Sequence, residues 1–186
     1  MVRRLHIGGK QKRAGWEIFN AVNGPDVDHL GDAKDLSQFQ EETFSEIYAS
    51  HVLEHFDYVR ELGATLTEWH RTLQSGGRLY ISVPDLDVLT RLFSDRLAFT
   101  AEQRFMIMRM IFGGHVDNYD YHKVGLNLEF LSYFLKIAGF VKIRKVDEFD
   151  LFKDTSSMRF AGIPISLNII AEKSISQKID FFNFGV

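Results

Sequence analysis

Two stretches of this 186-residue chain gather side chains able to do chemistry. The first is His51-Val52-Leu53-Glu54-His55. Histidine exchanges its proton near neutral pH, so His51 is a candidate general base. The same letters spell H-x-x-E-H, the inverted zinc-protease pattern. On one helix, His51 and His55 would share a face and hold zinc, with Glu54 as base. That geometry needs His51 inside the helix. Here it abuts an apolar run that reads as a strand, and no downstream third ligand is evident, so a metal role is not assigned. His55 reads instead as a residue that pins a loop by hydrogen bonds. The second stretch is the polar loop from Gly113 to Gly125, with His115, Asp117, Asn118, Tyr119, Asp120, Tyr121 and His122. His122, beside Asp117 and Tyr121, is the second candidate catalytic residue.

Something must hold these residues. Ile47-Tyr48-Ala49-Ser50 is a short apolar run of the kind found in buried parallel strands. A helix over roughly Asp57 to Leu73 follows, since Val59, Leu62, Leu66, Trp69 and Leu73 step by three and four along one stripe. Asp57 is the expected N-cap and Gly76-Gly77 the expected stop. Arg78 to Val83 then alternates apolar and polar and ends at Pro84. Parallel strands need a crossover of this length, and it is right-handed. Upstream, Val2 to Ile7, Trp16 to Val22 and Val27 to Leu30 read as strands, and Ser37 to Glu42 as one helical turn. Downstream, Asp85 to Asp95 and Ala101 to Phe112 read as helices, the second carrying a methionine-rich stripe. Asn127 caps a helix to Ala138 that Gly139 ends, and Val141 to Val146 and Ile163 to Ala171 read as closing strands.

Composition narrows the class. Apolar residues are 45% and charged residues 25%, as in an ordinary globular domain. A formal charge of −3 gives no global footprint for nucleic acid or an anionic membrane. The chain has no cysteine, which removes disulfides, thiolate metal sites and a thiol nucleophile. Its first residues are too charged for a signal peptide, and no apolar run reaches the ~20 residues of a spanning helix. A soluble, cytoplasmic protein is expected. Residues 1–173 are expected to form one domain and 174–186 a tail, whose Phe181, Phe182 and Phe184 are expected to pack on the domain or on a second copy as a homodimer.

Alternating strands and helices favour a doubly wound α/β sheet with its site at the strands' C-terminal ends. The ordered pieces Leu5-His6-Ile7-Gly8-Gly9, Gly31-Asp32-Ala33, Ser50-His51-Val52-Leu53-Glu54-His55 and Gly76-Gly77-Arg78-Leu79 resemble class I S-adenosylmethionine-dependent methyltransferases. They look most like the small bacterial type 11 group, over about residues 2 to 172. The resemblance implies a seven-stranded, mostly parallel Rossmann-like sheet with an antiparallel last strand and helices on both faces. It implies S-adenosylmethionine as cofactor, held by Gly8, Gly9 and Ser50, with Asn20 at the ribose and Asp32 and the Ala33 backbone at the adenine. The acceptor is expected to be a small or sugar-like molecule. Lys10 stands where the family has a third glycine, and Asn20 where it has an acidic residue. Asn20→Asp is therefore expected to tighten cofactor binding. The competing reading is a non-catalytic member that binds cofactor weakly and works through a partner. A dinucleotide site is disfavoured, because no long helix can follow Gly8-Gly9 before Trp16 to receive a pyrophosphate.

Overall fold

The computed structural model describes residues 2–175. The phenylalanine-rich stretch, with the packing expected of it, lies outside them. The strands are β1 (Arg4–Ile7), β2 (Glu17–Asn20), β3 (His29–Leu30), β4 (Phe44–Ser50), β5 (Leu73–Pro84), β6 (Phe140–Val146), a small hairpin of β7 (Arg159–Phe160) and β8 (Ile163–Pro164), and β9 (Ser166–Lys173). The helices are α1 (Leu62–Thr72), α2 (Leu86–Ser94), α3 (Ala101–Phe112) and α4 (Leu128–Ile137). One seven-stranded sheet runs β3-β2-β1-β4-β5-β9-β6. The first five of these strands are parallel, and β9 runs antiparallel to both β5 and β6. This is the α/β sheet expected, with its last strand reversed.

Alternate side chains of the central strands serve two cores. Ile47, Ala49, Leu79, Ile81, Ile169 and Ala171 join the buried faces of α1 and α4. Tyr48, Tyr80 and Ile170 point the other way, into a cluster with Trp16, Phe149, Leu151 and Phe152. Helices were expected on both faces, but this second cluster is built from strands and loops. The physical reason lies in the connections: residues 8–16 and 21–28 are too short to return over the sheet as helices. Helices α2 and α3 instead pack together beyond the end of β5, around Leu89, Leu92, Ile107 and Ile165.

Three local expectations are corrected. Helix α1 starts at Leu62 rather than Asp57. The Asp57 carboxylate accepts from the Val59 and Arg60 amides, while Glu61 reaches back to the Asp57 amide at 2.8 Å. This closes a tight turn ahead of the helix and leaves Val59 exposed. Gly76-Gly77 does not stop the helix: Leu73 is already extended, and both glycines lie within β5. Ser37 to Glu42 forms turns and no helix. By contrast α3 spans Ala101–Phe112 as read, closed by a capping box between Thr100 and Gln103.

Candidate functional site

Strand β1 ends in a turn whose left-handed residue is Gly8, at φ +76°. The Gly8 amide donates to Phe19 O at 2.8 Å, tying this turn to β2. Gly9 has a different reason to be glycine. A Cβ there would sit 2.7 Å from the His6 ring, which folds beneath it. Lys10 does not adopt positive φ, so the turn needs no third glycine. Beside it, β4 ends at Ser50, and His51 turns the chain at φ +54° into a single 3-10 turn, Leu53–His55. The β3–β4 connection is fixed from below, where the Trp69 indole donates to Ala33 O at 2.8 Å.

These ends enclose two adjoining clefts that share Gly8, Lys10 and His51. The first recess, about 370 Å³, brings Gly8, Asn20, Asp32, Ala33 and His51 together over an apolar floor of Phe19 and Val52. Tyr119 and Tyr121 of the polar loop line its opposite side. The neighbouring cleft, about 390 Å³, holds Gly9 and Ser50. His122 lines neither. It faces a third, largely apolar groove of about 420 Å³ with Leu86, Phe93, Met108 and Ile111.

Hydrogen bonds decide what each residue is free to do. Asn20 donates from Nδ2 to Gly9 O and accepts at Oδ1 from the Val22 amide, both at 2.9 Å. Its amide thus braces the Gly8-Gly9 turn, which leaves one N–H and one lone pair for a ribose. This reverses the sign expected for Asn20→Asp. A carboxylate would set one oxygen against the Gly9 carbonyl, so cofactor affinity should fall about 10-fold and stability by about 1–3 kcal/mol. Calorimetry and thermal melts of the variant read both. Asp32 is half exposed; it accepts from the Lys34 amide at 3.0 Å and sits 3.4 Å from Lys34 Nζ.

His51 is more committed than a free base would be. Ser166 Oγ gives its only proton to Thr155 O at 2.9 Å, so the Oγ must accept from His51 Nε2, 3.0 Å away. Nδ1 faces Glu54 Oε1 at 3.1 Å. Glu54 is 1% exposed. Burial alone would push its carboxyl up, but the His51 imidazole beside it brings the net value below the usual range. The H-x-x-E-H letters therefore do not form a helical motif: His51 precedes the turn and orients Glu54. His55 pins the polar loop as expected, its Nδ1 lying 3.2 Å from Tyr121 O, but nothing in the sequence foretold that its ring meets that of His122 edge to face at 5.0 Å between centroids. Their distance along the chain left no signal.

Residues 14–81 match a family model described as a methyltransferase domain, which covers β2 through most of β5. A SAM dependent methyltransferase from Archaeoglobus fulgidus is 18% identical with a TM-score of 0.59, over 92% of this chain and 86% of that one. A SAM-dependent methyltransferase from Methanosarcina mazei is 16% identical with a TM-score of 0.56, over 93% and 92%. A Bordetella parapertussis protein described as a possible exported protein is 12% identical with a TM-score of 0.56; the chain covers 63% of its length, less than two thirds. No curated protein matches. At these identities the solved structures establish the fold. The chain shares the fold of these methyltransferases, and its residues 14–81 match the methyltransferase-domain model. Among the described residues, no helix is long and apolar enough to cross a membrane.

Proposed function

We propose that the two clefts hold S-adenosylmethionine and that the chain transfers its methyl group to a small-molecule or sugar-like acceptor. The observation that carries this is the sharing of Gly8, Lys10 and His51 between an apolar recess and a polar one. An adenosyl group needs an apolar slot with a hydrogen-bond acceptor at its rim, and Phe19, Val52 and Asp32 supply that. A methionine moiety needs polar partners, and the second cleft offers the Lys10 ammonium and the buried Ser50 hydroxyl, which has no well-placed hydrogen-bond partner. When bound, the cofactor supplies an activated methyl group on a sulfonium. The protein's own part is positioning and exclusion of water. Gly8 lets the backbone approach the ligand, Asp32 accepts from the adenine amino group, and the tyrosines of the polar loop shield the recess.

One specific observation favours the second reading, a cofactor-binding member without turnover. Asn20 is an amide tied to the backbone and His51 Nε2 is committed to Ser166 Oγ, so neither supplies a ready carboxylate or a free base at that atom. Calorimetry with S-adenosylhomocysteine tests the shared claim. Binding in the micromolar range is expected, weakened about 10- to 100-fold by Asp32→Ala, the size of a charged hydrogen bond. Absence of heat at millimolar ligand would remove both readings. Release of S-adenosylhomocysteine in the presence of acceptor then separates the enzyme from the binder.

A further inference from the structure

The buried carboxylate of Glu54 is the least explained group in the domain. It is fully enclosed, yet neither of its oxygens has a well-aligned hydrogen-bond donor. A buried charge in that condition is costly unless something else completes it. Two imidazoles stand ready. One ligand atom from each of Glu54, His55 and His122 lies within 4.8 Å of the other two.

The hydrogen bonds around these rings point the same way. His55 Nδ1 lies 3.2 Å from Tyr121 O, and His122 Nδ1 lies 3.2 Å from Ile111 O. A carbonyl only accepts, so each Nδ1 carries the proton and each neutral ring keeps its lone pair on Nε2. Imidazole ligands of metals are commonly fixed in this way, with the far nitrogen donating to a carbonyl or carboxylate. His51 Nδ1 stands 3.1 Å from Glu54 Oε1 without an aligned hydrogen bond, so it does not complete the carboxylate. The backbone fixes the meeting point: the Lys123 amide donates to Glu54 O at 2.7 Å, which seats His122 beside Glu54.

We propose that Glu54, His55 and His122 form a binding site for a zinc-like divalent cation. Two imidazoles and one carboxylate suit a borderline transition ion better than magnesium, and three protein ligands leave a coordination position open. The site stands on the wall between two spaces, since His55 lines the proposed cofactor recess and His122 the apolar groove. The open position would take an oxygen of the methyl acceptor, a role that rests on the methyl-transfer reading. Binding of the ion does not rest on it.

The test uses the full chain, stripped of metal and titrated with zinc chloride by calorimetry, with S-adenosylhomocysteine binding measured separately in the absence of metal. One zinc per chain is expected, with His55→Ala, His122→Ala and Glu54→Gln each weakening it about 100-fold. X-ray absorption of the wild-type zinc complex should count two imidazole nitrogens, a readout that survives if a variant fails to fold. No saturable binding below about 1 mM zinc, affinity unchanged in folded His55→Ala and His122→Ala, or a shell without two imidazoles would overturn the site. Zinc binding lost while S-adenosylhomocysteine still binds overturns the cation site alone. Zinc binding retained in a chain that rejects S-adenosylhomocysteine supports the site and ends its proposed part in methyl transfer.

Discussion

Gly8→Ala should cost about 1–2 kcal/mol from backbone strain alone and abolish measurable cofactor binding. The residue sits at φ +76°, where a Cβ meets the following carbonyl and an L-residue pays that penalty. The added methyl also has nowhere to go, because it would lie 2.9 Å from Val52 Cγ2. Either Val52 shifts toward the recess it helps to floor, or the turn moves and breaks the 2.8 Å bond from the Gly8 amide to Phe19 O. Both outcomes reshape the space between the two clefts. For a chain of this size the strain corresponds to a loss of roughly 2–8 °C in melting temperature. The double variant Gly8→Ala, Val52→Ala divides the causes. It removes the collision and leaves the strain, so affinity should partly return while stability stays low. Full recovery of both would show that the turn can relax, and that positive φ at Gly8 does not control the site.

Why some of this was legible in the sequence, and some was not, follows from the range of the interactions involved. The β4-α1-β5 unit was readable because its apolar periodicity is local, and α3 was readable to its ends because its capping box lies within four residues. The start of α1 was misread because Asp57 and Glu61 satisfy each other's neighbourhood in a closed turn, a competition that propensity does not reveal. That no α-helix covers the second face among the described residues follows from connection lengths that were visible but not carried through to packing. Among the residues that line the recess, Gly8 and Asp32 could be named from type and order. The bracing role of Asn20 could not, because the sequence shows which groups a side chain owns and not which backbone groups consume them. The Glu54–His55–His122 grouping was hidden for a different reason. It exists only because the Lys123 and Val124 amides both dock on Glu54 O, a tertiary contact with no local signature.

Between pH 6.5 and 4 the domain should lose about 3 kcal/mol of stability through His6 alone. The ring is 7% exposed. It packs against Phe152 at 4.1 Å and Tyr48 at 4.9 Å between centroids. Burial drives its value down from 6.5 to about 4, against a weaker upward pull from the Asp154 carboxylate. The sign follows from proton counting. In the unfolded chain His6 takes up its proton near pH 6.5, whereas the folded ring resists until about pH 4. Within that window the unfolded state binds more protons, so stability is whole above pH 6.5 and declines as the pH falls toward 4. Each unit of difference is worth about 1.4 kcal/mol. Glu17 and Glu61, both brought to about 2, act lower down, between their ordinary 4.5 and that value. The two windows are therefore separable in urea melts collected from pH 7 to pH 3. His6→Phe should flatten the upper window and leave the lower one; the remaining histidines set whatever slope persists. The same substitution bears on function. His6 lies directly beneath Gly9 and lines the cleft that holds Ser50, so a charged His6 seeking water must disturb that turn. Cofactor affinity should then fall with acid over the same interval as stability in the wild type, and much less in His6→Phe. An affinity profile that His6→Phe leaves unchanged would place the acid-sensitive group elsewhere and detach the second cleft from cofactor binding.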